Sequence, residues 1–365
     1  MKKRLVAVDL FSGCGGLSLG LTKAGFHVAA AVENNPQAAK VYRRNHPQSS
    51  LLEQDIGNVT AARLRSATGK KKITLLAGCA PCQGFCALTR KPRNQDARNL
   101  LLLDMLRLVR AVRPKAVLME NVPGILTRGR HVFKIFLSGL RKAGYHCTYK
   151  VVQMTDYGVP QYRRRLVFLA GSGFSISPPA PTHSRKPPDH SRTDRWVTVR
   201  EAIGHLRAPV TLRKALTNGG PQSHGWHVTR DLQPQTKKRL RAATPGKTWV
   251  GVPEVIRPTC HRGYTGFTNT YGRMAWDEPS PTITAGCTTS CKGRFGHPDR
   301  RRYTISVREA ALLQSFPMKY EFPVDRIDSV CELIGNAVPP LFARIVGRQI
   351  RKALQSQNGV LARKR

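Results

Sequence analysis

Acidic residues are scarce in this sequence. The chain of 365 residues has 21 Asp and Glu against 61 Lys and Arg, which gives a formal net charge of +40. Such an excess implies a polyanionic partner, and nucleic acid is the first candidate. A membrane surface is the weaker alternative, because the sequence has no long basic amphipathic helix.

Long hydrophobic runs are also missing. No stretch approaches the roughly 18 uninterrupted apolar residues of a membrane-spanning helix. The basic start of the chain resembles a signal peptide, but Asp9 interrupts the apolar run that begins at Leu5. Nine cysteines, an odd number without a secretory signal, indicate a reducing compartment. We therefore expect a cytoplasmic protein with no membrane partner.

Aromatic residues make up only 7% of the chain, and their distribution is uneven. All four tryptophans lie beyond Gly171, in a region rich in Pro, Gly, Thr, Arg and His. Aromatic side chains among basic ones suit contact with nucleic acid, although a single Trp is more often part of a core. This region predicts a second, smaller domain of short β pieces. No internal repeat is present, and a hydrophobic content of 40% is enough for a sizeable core.

A cysteine loop follows a predicted strand at residues 73–77. The loop runs Gly78-Cys79-Ala80-Pro81-Cys82-Gln83-Gly84-Phe85-Cys86. In an open α/β sheet, ligands bind where the strands end, so Cys82 stands where a nucleophile is useful. Two other interpretations remain: a buried structural thiol, and a metal site with Cys79, Cys82 and Cys86 as ligands.

Three more strand ends predict an adenosine site. A strand over residues 3–10 leads into a glycine-rich turn from Phe11 to Gly16, where the backbone can approach a ligand. The second strand, residues 27–32, ends at Glu33-Asn34, the position that holds a ribose hydroxyl. The third ends at Asp55-Ile56, a pair that suits an adenine amino group and ring face. No Lys follows the glycines, which argues against a P-loop. The alternative for the turn is a purely structural role.

Further polar groups fall on the same predicted edge. A strand over residues 115–119 ends at Glu120, which places this carboxylate beside Cys82. Before a strand at 166–170, the residues Gln161, Arg163 and Arg165 share one face of an extended chain, or else form a solvated charge cluster. Other predicted elements are helices at 36–45, 99–112, 132–143 and 341–354, a strand at 146–154, and a helix capped by Ser306 and Glu309.

Taken in order, these motifs resemble those of bacterial-type DNA (cytosine-5) methyltransferases. The matching stretches are Phe11 to Gly16, Pro81-Cys82-Gln83, Glu120-Asn121-Val122, Gln161-x-Arg163-x-Arg165, Arg308-Glu309 to Phe316-Pro317, and Gly335-Asn336-x-Val338-Pro339. The resemblance implies an α/β fold: a Rossmann-like S-adenosylmethionine-dependent methyltransferase sheet with a smaller, irregular, β-rich target-recognition domain. It implies a catalytic and cofactor-binding domain at 1–171, completed by 328–354. Residues 172–327 would be the target-recognition domain and return hinge, and residues 355–365 a basic tail.

The resemblance also implies a mechanism. The target cytosine would be flipped out of the duplex, Cys82 would attack its carbon 6, and Glu120 would hold ring nitrogen N3 and the exocyclic amine. Arg163 and Arg165 would orient the base and its phosphate. Carbon 5 would then take the methyl group of S-adenosylmethionine, with no metal involved.

The implied contacts extend to the cofactor and to DNA. The cofactor-binding residues would be Phe11, Ser12, Gly13, Gly15, Gly16, Glu33, Asn34, Asp55, Ile56, Pro81, Asn336 and Val338. The residues touching the base or the DNA would be Gln83, Gln161 and Arg98. The expected partner is double-stranded DNA, with a restriction endonuclease acting separately. We expect a monomer associated with the nucleoid.

Two departures and three rival interpretations accompany the resemblance. The family usually has Gly-Pro-Pro-Cys-Gln-Gly-Phe-Ser, whereas here Cys79-Ala80 precede Pro81 and Cys86 replaces the serine. The rivals are a tRNA cytosine-5 methyltransferase, a catalytically inactive DNA-binding homologue, and an iron–sulfur enzyme. The cysteine spacing is the reverse of the usual C-x-x-x-C-x-x-C of the last class.

Overall fold

The computed structural model describes residues 5–81, 100–189, 192–261, 263 and 268–363. They divide between two compact units. Unit 1 consists of residues 1–153, 164–181 and 338–365, and unit 2 of residues 154–163 and 182–337. The domain boundaries expected from the sequence were 171/172 and 327/328, whereas these units place residues 172–181 in unit 1 and residues 154–163 and 328–337 in unit 2.

Unit 1 is built on a seven-stranded sheet. The strands are β1 (Val6–Leu10), β2 (His27–Val32), β3 (Ser50–Leu52), β4 (Leu75–Gly78), β5 (Ala116–Asn121), β6 (Tyr145–Gln153) and β7 (Arg164–Ser172). Their order is β3-β2-β1-β4-β5-β7-β6. Strands β1 to β5 are parallel to one another, whereas β7 is antiparallel to both β5 and β6. This is the α/β sheet that the sequence predicted, with a topological switch point between β1 and β4.

Continuous apolar sequence explains the central strands. Every residue of β1, β4 and β5 is buried, as expected for parallel strands covered on both faces. The helices of unit 1 are α1 (Gly16–Lys23), α2 (Pro36–Asn45), α3 (Ala61–Ala67), α4 (Leu101–Val112), α5 (Arg130–Lys142) and α12 (Pro340–Arg363). The predicted helix at 36–45 is confirmed, and its first turn is capped by the Asn35 side chain.

Helix α12 packs against α1 through a close approach at Gly20. A Cβ atom on Gly20 would lie 2.3 Å from the Cβ of Ala343 and 2.5 Å from the carbonyl oxygen of Pro340. Only glycine allows this spacing. The helix continues to Arg363, beyond the predicted end at 354, so the expected tail of residues 355–365 is helical as far as Arg363.

One helical stretch, Ile327–Gln357, is long and apolar enough to cross a membrane among the residues that the structure describes. Of its most apolar window, 67% is buried inside the structure. The buried core helix of a globular protein passes the same test, so the length and composition of this stretch do not by themselves indicate membrane insertion.

Unit 2 is irregular and more helical than expected. Its described strands are pairs of residues: β8 (His183–Ser184), β9 (Asp194–Arg195), β10 (Val210–Thr211) and β11 (Val228–Thr229). Its helices are α6 (Val199–Ile203), α7 (Leu212–Leu216), α8 (Gly220–Ser223), α9 (Pro234–Ala242), α10 (Val307–Leu313) and α11 (Ile327–Asn336). The capping box of Ser306 and Glu309 at the start of α10 is confirmed. Helix α11 was not predicted.

The core of unit 2 uses two of the tryptophans. Trp226 and Trp249 are buried, and the indole nitrogen of Trp226 donates a hydrogen bond to the carbonyl oxygen of Phe322 at 2.8 Å. Their burial gives these two side chains a structural role. Trp196 and Trp276 are partly exposed: the indole nitrogen of Trp196 donates to Oδ1 of Asp156 at 3.0 Å, and the guanidinium of Arg200 lies 5.3 Å from the centre of the Trp276 ring.

Candidate active site

The acidic group at the end of β5 is held from two sides. Glu120 is 4% exposed. The thiol of Cys79 donates a hydrogen bond to its Oε2 at 2.9 Å, and Nε of Arg165 lies 3.1 Å from its Oε1. Cys79 directly follows β4, and Arg165 is the second residue of β7. Three strands therefore fix one buried carboxylate in a single orientation.

The β7 strand is antiparallel, and this brings Arg165 to the carboxyl end of β5. Glu120 pairs in register with Val167, two residues after Arg165. Side chains two apart on a strand share a face, so the guanidinium lies over the same end of the sheet as the carboxylate. The ion pair compensates the burial of both charges. Besides this ion-pair contact with Arg165, Oε1 of Glu120 accepts no hydrogen bond in the described part of the chain, which leaves it able to receive one from a substrate.

Asn121 ties the start of the cysteine loop to β5. Its side-chain amide donates to the carbonyl oxygen of Ala80 at 3.2 Å, and its Oδ1 accepts from the backbone nitrogen of Val122 at 2.9 Å. Asn121 is 1% exposed, so these contacts are shielded from water. The sequence motif Glu120-Asn121 thus combines a buried, paired carboxylate with an anchor for the start of the neighbouring loop.

The predicted nucleophile is not part of this geometry. Cys82, Gln83, Cys86 and Arg98 all lie outside the described residues. Their predicted roles, and the metal site that would use Cys82 and Cys86, stay predictions. Among the residues that are described, no group of three or more His, Cys, Asp or Glu is placed to hold a metal ion.

A cleft opens at the carboxyl ends of β1, β2 and β4, on unit 1. Its volume is about 350 Å³. It is lined by Phe11, Val32, Glu33, Asn34, Gln54, Asp55, Ile56, Pro81 and Leu101. The set includes Phe11, Glu33, Asn34, Asp55, Ile56 and Pro81, which the sequence assigned to the cofactor. Val32, Gln54 and Leu101 were missed, since nothing in the local pattern of Gln54 or Leu101 sets them apart.

The glycine turn is fastened to Glu33. The backbone nitrogen of Gly13 donates to Oε2 of Glu33 at 2.7 Å, and Oε1 accepts from the backbone nitrogen of Asn35 at 2.8 Å. Gly13 and Gly15 have φ angles of 54° and 90°, in the left-handed region that favours glycine. Gly16 begins α1, and Ser12 is buried. Glu33, which is predicted to hold a ribose hydroxyl, therefore also fixes the glycine turn.

Asp55 does not end a strand, contrary to expectation. Strand β3 ends at Leu52, and Asp55 instead caps a short 3-10 helix that starts at Ile56. Its Oδ1 accepts a hydrogen bond from the backbone nitrogen of Gly57 at 2.8 Å. The carboxylate still reaches the cleft, because the cap turns the chain back toward the sheet edge.

A second buried acid lies beneath the glycine turn. Asp9, on β1, is fully buried and accepts a hydrogen bond from the hydroxyl of Ser18 at 2.6 Å. Burial raises the pKa of Asp9 from 3.8 to about 7, with the Ser18 bond opposing the effect and Glu33 adding to it. The sequence marked Asp9 only as an interruption of an apolar run.

Gln161 and Arg163 are placed differently from what was expected. Both belong to unit 2 and are buried there. The amide of Gln161 bonds to Oε1 of Gln314 at 2.7 Å, and the guanidinium of Arg163 donates to the carbonyl oxygens of Ile283 and Gly335, each at 3.1 Å. These contacts make both side chains part of the unit 2 core. We therefore assign neither side chain a contact with DNA or with the target base.

The last two predicted cofactor residues fall in different units. Asn336 is exposed at the end of α11 in unit 2, whereas Val338 is buried in unit 1 just before α12. Their cofactor roles stay predictions.

Comparison with known proteins gives one consistent family. The model of the C-5 cytosine-specific DNA methylase family matches residues 5–352. The Type II methylase M.HgiDII of Herpetosiphon aurantiacus is 37% identical, over 95% of this chain and 95% of its own. The Type II methyltransferase M.XorII of Xanthomonas oryzae is 33% identical, over 97% of this chain and 86% of its own.

Solved structures agree on the fold. A prophage-encoded E. coli chain, solved as a candidate DNA modification methyltransferase, has a TM-score of 0.71 at 24% identity and covers 96% of this chain and 99% of its own. The Dnmt2 methyltransferase of S. pombe has a TM-score of 0.61 at 20% identity, covering 98% and 100%. At these identities the likeness speaks for the fold alone. The family model spans nearly the whole sequence, and the chain therefore belongs to the C-5 cytosine-specific DNA methylases.

Proposed function

We propose that this methylase transfers a methyl group from S-adenosylmethionine to carbon 5 of a flipped-out cytosine in duplex DNA, with Cys82 as the nucleophile. The observation that carries the proposal is the carboxylate of Glu120, fixed by Cys79 and Arg165 at the end of β5. A carboxylate held in this way can recognise the N3 and amino edge of a cytosine. Arg163 and Gln161 are left out of the catalytic set.

The chemistry balances around Glu120 and Cys82. The thiolate forms a bond to carbon 6 of the base, and electron density moves into the ring toward N3, where a hydrogen bond or proton from Glu120 stabilises it. Carbon 5 then acts as the nucleophile in methyl transfer. The carbon-5 proton is then lost to solvent, the Cys82 thiolate leaves carbon 6, and the proton on N3 returns to Glu120, which restores the aromatic ring. Arg165 keeps Glu120 oriented throughout, because their ion pair is buried.

The cleft beside Glu33 and Asp55 has side chains that suit S-adenosylmethionine. It offers an aromatic face at Phe11, an apolar wall at Ile56, and two carboxylates for the ribose and amino groups. It offers no lysine or arginine among its described lining residues, which suits a ligand without phosphates. When bound, the sulfonium group supplies an electrophilic methyl group. The residues of this chain bind and orient it.

A trapping experiment tests the reaction. Duplex DNA with 5-fluorocytosine at the target position should form a stable covalent complex with the protein and S-adenosylmethionine, because fluorine cannot leave as a proton does. The complex should survive denaturation. The Cys82→Ala variant should bind the same duplex without forming it, and an adduct with that variant would overturn the assignment of the nucleophile.

The target sequence can be found by bisulfite sequencing of DNA from cells that express the chain, with Cys82→Ala as control. Methylcytosine at one short recurring site, absent in the control, is the expected outcome. A parallel transfer assay on tRNA distinguishes the RNA-directed alternative. Methylation of tRNA but not of DNA would overturn the proposed substrate, and no methylation of either would favour an inactive homologue.

We further propose a restriction-modification role in the bacterial cytoplasm, close to the nucleoid. The relatives with Type II names support it, and the restriction endonuclease would act as a separate protein on the same site. A plasmid that carries the methylation should resist one endonuclease specificity and remain sensitive to others. We expect the methyltransferase to act as a monomer, which sedimentation analysis of the protein–DNA complex would check.

A further inference from the structure

The loops at the amino end of the sheet lie side by side. Strands β4, β5 and β6 all start there, and β7 ends there. The backbone nitrogen of Ser172 donates to the carbonyl oxygen of Lys115 at 3.0 Å, and that of Gly173 donates to Gly144 at 3.2 Å. Arg65 reaches across from α3 to the carbonyl oxygen of Ala111 at 2.7 Å. Hydrogen bonds therefore join these loops into one continuous surface.

Each of these loops presents exposed basic side chains. The members are Lys71 and Lys72 before β4, Arg113 and Lys115 before β5, and Arg141 and Lys142 before β6. We call these six residues the distal basic edge. The six residues of β5 separate it from Glu120 by about 15 to 20 Å, at roughly 3.3 Å per residue. It is thus distinct from the catalytic edge of the same sheet.

The carboxylates of unit 1 that the structure describes lie away from this edge. Its described acidic residues are Asp9, Glu33, Glu53, Asp55, Asp104 and Glu120. All lie near the carboxyl ends of strands, or, for Asp104, in the first turn of α4, whose Leu101 lines the cofactor cleft. No described carboxylate of this unit therefore lies at the distal basic edge.

Such a segregation of charge has an energetic consequence. Like charges within a Debye length of about 8 to 10 Å repel one another and destabilise the surface that holds them. A duplex relieves this repulsion and gains further from the release of its condensed counterions. Because the chain carries a net charge of +40, acidic residues are too few to neutralise both edges.

A recess lies at the same edge as these basic side chains. It has a volume of about 630 Å³, and its lining includes Arg141, Tyr145 and His146. Burial raises the pKa of Tyr145 to about 12, and the positive charge of Arg113 is close enough to oppose this effect. A phosphate group entering this recess would meet positive charge from two neighbouring loops.

We propose that the distal basic edge is a second duplex-binding surface, which holds a further segment of DNA while the catalytic edge is occupied. Duplex DNA is the partner that the observations favour, because the enzyme's substrate brings other segments of the same molecule close. The proposal rests on duplex DNA being the substrate, but not on the catalytic role of Cys82 or Glu120. Binding two segments would let the enzyme move between them without full release.

A co-capture experiment tests this surface. The protein is first bound to an immobilised short duplex that carries the target site, and a labelled second duplex without the site is then added. We expect the wild-type protein to capture the second duplex. The variant with Lys71→Gln, Lys72→Gln and Lys142→Gln should capture it roughly tenfold less well. The logarithm of its affinity for the second duplex should also fall less steeply with the logarithm of salt concentration. The slope should become shallower by about 0.9 for each phosphate that the variant no longer neutralises.

A variant of equal charge loss controls for net charge. It carries Lys40→Gln, Lys134→Gln and Arg348→Gln, which are exposed on α2, α5 and α12 and belong to none of these loops. It should capture like the wild type, and all three proteins should methylate the short duplex at the same rate. Equal capture by both variants, or no capture by wild type, would overturn the proposal.

Anionic vesicles are a further probe: capture of vesicles without capture of duplex would assign the edge to a lipid surface instead. Methylation of tRNA alone would instead count against the proposed substrate.

Discussion

At the scale of single residues, one of the two groups that hold Glu120 is a thiol. Cys79 occupies a position where the related family usually has glycine, and its sulfur is the hydrogen-bond donor to Oε2. Hydrogen bonds to charged groups contribute about 1.5 to 3 kcal/mol, so losing this one matters if the carboxylate must hold a single orientation. Cys79 acts through Glu120 and is a positioning residue.

Replacing Cys79 by Ala should therefore slow methyl transfer by roughly 10- to 100-fold in kcat, with the KM for DNA little changed. Cys79→Ser keeps a donor at the same place and should recover most of the rate. Single-turnover kinetics with both variants are the measurement. A serine variant as slow as the alanine variant would mean that the shape of the cysteine matters, and not its hydrogen bond.

The buried carboxyl group of Asp9 leads to a prediction about how the stability of the protein depends on pH. Its pKa is about 7 when folded and near 3.8 when unfolded, so the folded protein keeps this proton over a range where the unfolded chain has lost it. Stability from this group is thus fully present below about pH 4 and is lost as the pH rises to about 7. The difference corresponds to roughly 4 kcal/mol at most.

Asp9→Asn removes the titration and keeps a polar side chain of similar size. Its free energy of unfolding, minus that of the wild type, should rise by a few kcal/mol between about pH 4 and pH 7. Urea unfolding of both proteins across this range is the measurement, and other titrating groups cancel in the difference. A difference that stays constant with pH would show that Asp9 is ionised in the folded protein.

Sequence could predict where Glu120 lies but not the surroundings of Gln161 and Arg163. The position of Glu120 follows from the apolar strand that ends there. The alternation of Gln161, Arg163 and Arg165 predicts a shared face, yet Arg165 is in unit 1 and the other two are in unit 2. Their partners, Gln314, Ile283 and Gly335, are more than a hundred residues away in the chain, and local pattern contains no information on them.

At the scale of elements, the contact between α1 and α12 depends on a helical glycine. Exchange of glycine for alanine within a helix normally stabilises it by about 1 kcal/mol. At Gly20 the added methyl group would overlap Ala343 and the backbone of Pro340, and overpacking of this kind costs about 1 to 3 kcal/mol. The two effects oppose each other, so the sign of the change is diagnostic.

Gly20→Ala should lower the melting temperature of the protein, measured by calorimetry. Thr22→Ala, at an exposed position two residues along the same helix, should leave it nearly unchanged. A Gly20→Ala variant as stable as the wild type would mean that the two helices are less closely packed than described.

Elements with strong local signals were predictable and those without them were not. Strand β2 and helix α2 have the predicted bounds, since an apolar run and an Asn-Pro start mark them. Helix α11 was missed because Arg326, at its N-cap, offers no side-chain cap, so no start signal stands in the sequence.

At the scale of the whole molecule, charge determines how the protein meets DNA. With a net charge of +40, many phosphate contacts form at once, and each releases counterions. We expect the logarithm of DNA affinity to fall with the logarithm of salt concentration with a slope of about −5 or steeper. Fluorescence anisotropy with a short duplex measures it. A slope shallower than about −2 would mean that few of these charges touch DNA.

The packing of α12 on α1 also orders events during synthesis. The apolar face of α1 is made first, but the helix that covers it begins at Pro340. A ribosome must therefore translate almost the entire chain before unit 1 can close. Nascent chains halted before that point would carry an uncovered apolar surface and would be natural clients for chaperones. A newly made molecule therefore cannot methylate DNA until its translation has passed α12.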